Sequence, residues 1–377
     1  MPLFQLEAGW AGVNLFFILS GFLMTRILMT AKAAGAHTYF TNFYSRRALR
    51  IFPLYYMYLL LAGLFLYFAS HSDLSANPHI TEAWRDLRLH WPYLLSFTYN
   101  FEEITGYLTG VDYTNSWFFG HLWTLSVEVQ FYFVFALLVY ALPLRWLKII
   151  LISVIVITPL LRWFTISVLT QNVQDLFWIG DVLYISTPFQ IDTLSLGALL
   201  AIIDLQRWRR MAVPMAVGSV LLLAVVGTIH IMMARQYGVR MPLSSLGFDI
   251  PTYHTMTLSP GILFNNRYVY SIPLVNLFFT SLLLCATALS NLPRWMESGF
   301  AIYVGRISYG IYVLHLVVSL LVSAGFEMWF RTPVDALTPL AQVAGLVVYL
   351  VLLLLMGSAS YYGFERKFLR LRAAPVY

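Results

Sequence analysis

Residues 336–364 read ALTPLAQVAGLVVYLVLLLLMGSASYYGF, 29 positions without one charged side chain. As a helix rising 1.5 Å per residue, the stretch is about 43 Å long. That exceeds the roughly 30 Å hydrocarbon core of a bilayer. It does not alternate as a barrel strand must. Lipid offers no partner for backbone amides, so a helix is the remaining solution. Charge-free runs at 211–229, 268–293 and 307–326 repeat the pattern. The whole chain agrees: of 377 residues 60% are hydrophobic and 11% charged, against about 25% charged in soluble domains. The expected fold is an all-α integral membrane helical bundle, one domain over residues 1–377.

A span needs about 20 predominantly apolar residues. About nine transmembrane helices are expected, at 9–28, 52–70, 118–140, 147–168, 182–203, 211–233, 269–289, 302–325 and 337–362. Sixteen of the 23 basic residues fall at alternate junctions, among them Arg46, Arg47, Arg50, Arg207, Arg209, Arg210, Arg366 and Lys367. Those junctions are expected on the cytoplasmic side. The opposite side then holds loops at 71–117 and 234–268. The net charge of +6 follows from this bias, and no nucleic-acid partner is expected. The single cysteine, Cys285, excludes an intrachain disulfide framework and a cysteine metal cluster; its apolar surroundings make it a small buried hydrophobe. No metal motif or glycine-rich phosphate loop occurs, so the expectation is no metal and no bound cofactor. An odd span count with a cytoplasmic C-terminus places Met1 outside, which is simplest if one earlier helix is missing from the chain.

Ionisable side chains in mid-membrane are costly unless paired or hydrated, and each is a functional candidate. Glu128 lies 11 residues beyond Trp117, about 16 Å along a helix. His121 is two turns earlier on the same face. Such a pair can move or orient a proton, or the Glu can be a structural ion-pair partner. His315 lies in the apolar run 307–326, where a lone imidazole is as readily a hydrogen-bonded core group. Asp192 and Arg162 read mainly as structure, with Arg162 a possible countercharge to Asp192 or Glu128. Arg47 and Arg50 share a helix face before Ile51-Phe52-Pro53. They can fork onto phosphates or simply anchor the helix at the membrane surface.

Six segments in order carry a family resemblance. Gly9-Trp10-Ala11-Gly12-Val13-Asn14-Leu15-Phe16-Phe17-Ile18-Leu19-Ser20-Gly21-Phe22 resembles the second helix of the acyltransferase 3 family. Arg46-Arg47-Ala48-Leu49-Arg50-Ile51-Phe52-Pro53-Leu54-Tyr55 resembles its R-x-x-R-I-x-P-x-Y signature, and His121-Leu122-Trp123-Thr124-Leu125-Ser126-Val127-Glu128-Val129-Gln130-Phe131-Tyr132 its H-x-W-S-L-S-V-E-x-Q-F-Y helix. Asp192–Leu200, Gly305–His315 and Tyr361–Leu369 are similar to its later segments, with Lys367 where proline is usual. The resemblance implies a ten-helix, multi-pass enzyme of the cell membrane, such as a bacterial inner membrane. It would move an acyl group, acetyl for instance, from acyl-CoA to a hydroxyl of a carbohydrate or lipid-linked sugar. Membrane lipid surrounds such an enzyme.

By the same resemblance Arg47 and Arg50 contact the donor, and Glu128 and His121 belong to the catalytic set. His315 and Trp123 line the substrate site. The family's opening D-G-L-R helix and its His base have no counterpart here, and Asn14 stands where the family has Asp. An inactive fragment is therefore one alternative. The rival class is a transporter or flippase using Glu128, Asp192 and His315 as a proton relay.

Overall fold

The computed structural model describes residues 9–109, 118–172, 176–236, 267–289, 294–332 and 337–371. Among the described residues there are helices and turns and no strand. In chain order the helices are α1 (Gly9–Ala31), α2 (Ala36–Ser70), α3 (Pro78–Leu95), α4 (Glu102–Thr109), α5 (Trp123–Ala141), α6 (Leu144–Asn172) and α7 (Leu176–Ile185). Then follow α8 (Ile191–Ile202), α9 (Leu205–Gln236), α10 (Arg267–Ala288), α11 (Gly299–Phe330), α12 (Pro339–Ala359) and α13 (Arg366–Leu369). Local chemistry sets several ends. Asn77 accepts the His79 amide at 2.9 Å with Pro78 at the first helical position, and Ser298 accepts the Ala301 amide at 3.2 Å. Both are N-caps that satisfy an orphan donor.

Among the described residues eight helices are long and apolar enough to cross a membrane, and the chain is a multi-pass membrane protein. The remaining expected span, 182–203, is not continuous. Pro188 has no amide proton to donate to a helix, and the chain breaks there into α7, a 3-10 turn at Thr187–Phe189, and α8. Arg162 of α6 fills the break. Its Nη2 donates to the Phe189 carbonyl and, at 2.7 Å, to Asp192 Oδ1, with both side chains buried. Of the two countercharges open from sequence, Asp192 is therefore the partner. Arg162→Met leaves a buried carboxylate unpaired and is expected to cost about 3–5 kcal/mol. A thermal melt in detergent should show this, with Arg162→Met/Asp192→Leu recovering much of the loss.

The segment expected as an outer loop at 71–117 also differs. Residues 78–95 form α3, which doubles back along α2. Tyr67 packs on Trp84, and the hydroxyls of Tyr55 and Tyr56 donate to the carbonyls of Leu94 and Leu95 at 2.7 and 3.0 Å. The charges of α3 hid this from a search for apolar spans. Its C-terminal turn is held by Phe97, at φ +55° and stacked 4.3 Å from Tyr55. The remainder of that loop, 110–117, and residues 237–266 of the second expected loop lie outside the described residues.

Two cores meet on α1. One, rich in aromatics, joins α1, α2, α3 and α5; the other joins α1 to α6, α7, α8, α9 and α10. α1 and α8 cross backbone against backbone. Gly21 lies against the Leu194 carbonyl and Gly197 against the Ile18 carbonyl, with no room for a Cβ at either. A glycine pair of this kind lets two membrane helices approach backbone to backbone. α11 and α12 form a further pair packed on α2 through the π-turn Ser360–Glu365.

Candidate active site

Glu128 of α5 is buried and is hydrogen-bonded from α1 and from its own helix. Ser20 of α1 donates to Oε1 at 2.7 Å, and Tyr132, one turn on, donates to the same oxygen. Ser20 is held there because Gly21 fixes α1 against α8. Arg47 of α2 sits over the Tyr132 ring, its guanidinium carbon 5.6 Å from the centroid, with Phe43 at 6.0 Å on another side. Such a contact is a cation–π interaction. Among the described residues no ion pair joins Glu128 to an arginine, yet the charges of Arg47 and Arg50 both act on it. Arg47 Nε is buried without a hydrogen-bond partner. Arg50 is exposed.

A second carboxylate feels the charge of Arg50. Glu365, buried on the π-turn, accepts from Ser360 Oγ at 2.7 Å and lies within range of the Arg50 charge. The turn packs against Gly310 of α11, where an added Cβ would lie 2.9 Å from Glu365 Oε1. Tyr309, beside it, donates to the Ile51 carbonyl at 2.7 Å and so ties α11 to the arginine helix. The charges of Arg47 and Arg50 thus act on Glu128, and that of Arg50 also on Glu365. Guanidiniums not engaged by a carboxylate keep donors for a further anion.

His121 lies elsewhere than its spacing suggested. It belongs to a 3-10 turn, Gly120–Leu122, ahead of α5, so it does not share the helical face of Glu128. It faces α11 and α2: Nε2 lies 3.0 Å from the Val313 carbonyl, and the ring packs edge-on to Tyr58 and to His315 with centroids 5.8 and 5.1 Å apart. A carbonyl cannot donate, so Nε2 carries the proton in the neutral ring and Nδ1 holds the lone pair. Nδ1 is buried and without a partner. By the same logic His315 donates through Nδ1 to the Tyr312 carbonyl at 2.5 Å, leaving its Nε2 as acceptor. Tyr312 closes the group by donating to the His121 carbonyl at 2.7 Å and touching Thr124 Oγ1.

The sequence candidates therefore sort into two clusters, one at Glu128 of α5 and one at the turn that precedes α5. Arg47, Arg50 and Glu128 form one; His121 and His315 form the other. Trp123 lies between, buried between Phe17 and Tyr184 with centroids 5.9 and 5.0 Å away; every contact it makes there is packing. Ser20, Tyr132, Tyr309, Tyr312 and Glu365 were missed. Tyr132 was findable as the i+4 neighbour of Glu128; the others arrive from distant helices. Asn14, in place of an acid, is buried and donates to Asn276 at 2.7 Å, which donates on to Thr193 at 2.8 Å. Thr193 Oγ1 in turn donates to Asp192 Oδ1 at 3.5 Å.

The family model described as an acyltransferase domain (Acyl_transf_3) matches residues 5–358. Among curated proteins, the O-acetyltransferase OatA of Staphylococcus aureus is 24% identical over 325 residues, 85% of this chain and 47% of that protein. The peptidoglycan O-acetyltransferase OatA of Listeria monocytogenes is 29% identical over 151 residues, 38% of this chain and 21% of that protein. The chain spans about half the length, or less, of these relatives. No solved structure matches it significantly. The family match runs over most of the chain, and the chain belongs to the acyltransferase 3 family.

Proposed function

We propose that this chain transfers an acyl group, acetyl in the simplest case, from acyl-CoA to a hydroxyl of a carbohydrate acceptor. The observation that carries the reading is the pair Arg47 and Arg50, one helical turn apart on α2, with Arg47 Nε buried and without a hydrogen-bond partner. Phosphates of coenzyme A match those donors in charge and geometry. The acceptor class comes from the relatives, one of which is named for peptidoglycan.

In the proposed reaction the acceptor hydroxyl oxygen attacks the thioester carbonyl carbon. Its proton passes to Nδ1 of His121, the buried nitrogen with a free lone pair. The C–S bond then breaks, and the departing thiolate takes the proton back to leave free coenzyme A. Glu128 is a positioning residue for Arg47 through Tyr132.

The test is acetyl transfer from acetyl-CoA to soluble peptidoglycan fragments by the purified protein, with products followed by mass spectrometry. Arg47→Ala and Arg50→Ala are expected to raise donor KM, each lost contact costing about 1.5–3 kcal/mol, or roughly 10- to 150-fold. Exposed Arg50 should fall at the lower end. Lysine should rescue only in part, lacking the planar fork. Wild-type KM in both alanine variants would leave these arginines as membrane anchors.

A further inference from the structure

The loop that sequence analysis left without function holds a cluster unrelated to the acyl-transfer groups. Asp86 and His90 are one turn apart on α3, and Glu102 begins α4. All three are buried, at 0, 4 and 3% exposure. His90 Nδ1 lies 2.9 Å from Asp86 Oδ1 and 2.9 Å from Glu102 Oε1. One ligand atom from each residue falls within 4.8 Å of the other two. Ligands about 2.1 Å from a common ion at right angles are about 3 Å apart. We propose that Asp86, His90 and Glu102 form a binding site for a divalent transition cation of the zinc or manganese kind.

The donor set selects that class. Two carboxylate oxygens and one imidazole nitrogen suit zinc and manganese, while soft copper(I) prefers sulfur and calcium an all-oxygen shell. The outer contacts have the form that metal sites use: the Tyr99 hydroxyl donates to Asp86 Oδ2 at 2.9 Å, fixing the carboxylate while Oδ1 points at the imidazole. Without a cation, the same residues make a proton-bridged triad. Burial disfavours the charged ring there, but Asp86 and Glu102 outweigh it and hold His90 up at about 9.

The position gives the ion a structural task. It would join α3 to the start of α4 across the turn at 96–101. That turn is bonded to the centre of the bundle: Gln130 Nε2 donates to the Phe97 carbonyl at 2.7 Å and to Asn100 Oδ1 at 2.8 Å, and Asn100 donates to Thr187 at 2.8 Å. Gln130 is two residues from Glu128, and Thr187 lies in the α7–α8 break. A cation here pins the turn that braces both.

The experiment is metal analysis of the purified, chelator-treated protein after equilibration with Zn²⁺ alone or Mn²⁺ alone, together with its melting temperature. Wild type should take up one equivalent more than Glu102→Gln or Asp86→Asn and melt higher with metal than without. Tyr99→Phe should bind about 10- to 100-fold more weakly, the usual loss when an outer hydrogen bond to a ligand is removed. Glu102→Gln is nearly isosteric; should it not fold, Tyr99→Phe and His90→Gln read the same site. Equal uptake by wild type and the folded variants, or a melt unmoved by either ion, would overturn the proposal and leave the proton-bridged triad. Acyl transfer is not the readout, so failure of the proposed activity would not decide this result.

Discussion

Gly21→Ala and Gly197→Ala are each expected to strip the chain of its stable fold. A Cβ on Gly21 would lie 2.0 Å from the Leu194 oxygen, and one on Gly197 would lie 1.9 Å from the Ile18 oxygen. Neither obstacle is a side chain that can swing aside; both are backbone of the opposing helix. Overpacking usually costs about 1–3 kcal/mol, and a clash with two helix backbones should exceed that range. A melting temperature lowered by more than about 10 °C is expected, at roughly 2–4 °C per kcal/mol for a chain of this order of size. Parting α1 from α8 also moves Ser20 off Glu128, so activity should fall in whatever folded fraction survives. Gly12→Ala is the control, since nothing lies within 4 Å of its Cβ position. Wild-type melting of both crossing variants would mean that α1 and α8 do not meet at these glycines.

The largest effect on chemistry should come from His121. A positioned general base contributes about 10²–10⁴-fold, and His121→Ala is expected to lower kcat for acetyl transfer by that factor. Donor KM should stay within a few-fold, because the arginines are on a separate cluster. His315→Ala should cost less: its ring packs on that of His121 but is not the base in this scheme. A His121→Ala protein that melts normally and turns over at the wild-type rate would place the base on another residue.

Much of the fold was legible because apolar length is written into the sequence. Residues 336–364 announce a membrane helix whatever packs beside them. Two elements were not legible for opposite reasons. α3 carries Glu82, Arg85, Asp86 and Arg88, so no hydropathy window finds it, although tyrosines of α2 receive its end by hydrogen bonds. The 182–203 run is apolar enough to pass as one span; only Pro188 hints at the break, and prolines sit inside α2, α6 and α9 without breaking them. At the Pro188 break the Gln190 side-chain amide donates to the Tyr184 carbonyl and the Arg162 guanidinium to that of Phe189.

The site was legible in part for a related reason. A charged residue in an apolar run stands out, so Glu128, His315, Asp192 and Arg162 were all found. Their partners were not, since Ser20, Tyr309 and Glu365 are unremarkable residues that long-range packing brings together. The Asp86–His90–Glu102 cluster was passed over because Asp-x-x-x-His followed by Glu twelve residues on matches no established metal spacing.

Coenzyme A binding by the purified chain, measured by equilibrium dialysis with labelled acetyl-CoA, tests the donor site most directly because it needs neither an acceptor nor a turnover. Wild type should bind one equivalent saturably. The double variant Arg47→Ala/Arg50→Ala, at an unchanged melting temperature, should bind at least about 100-fold more weakly, from two lost charge-assisted contacts. Equal binding by the two proteins, or no saturable binding by the wild type, would contradict the donor site at Arg47 and Arg50.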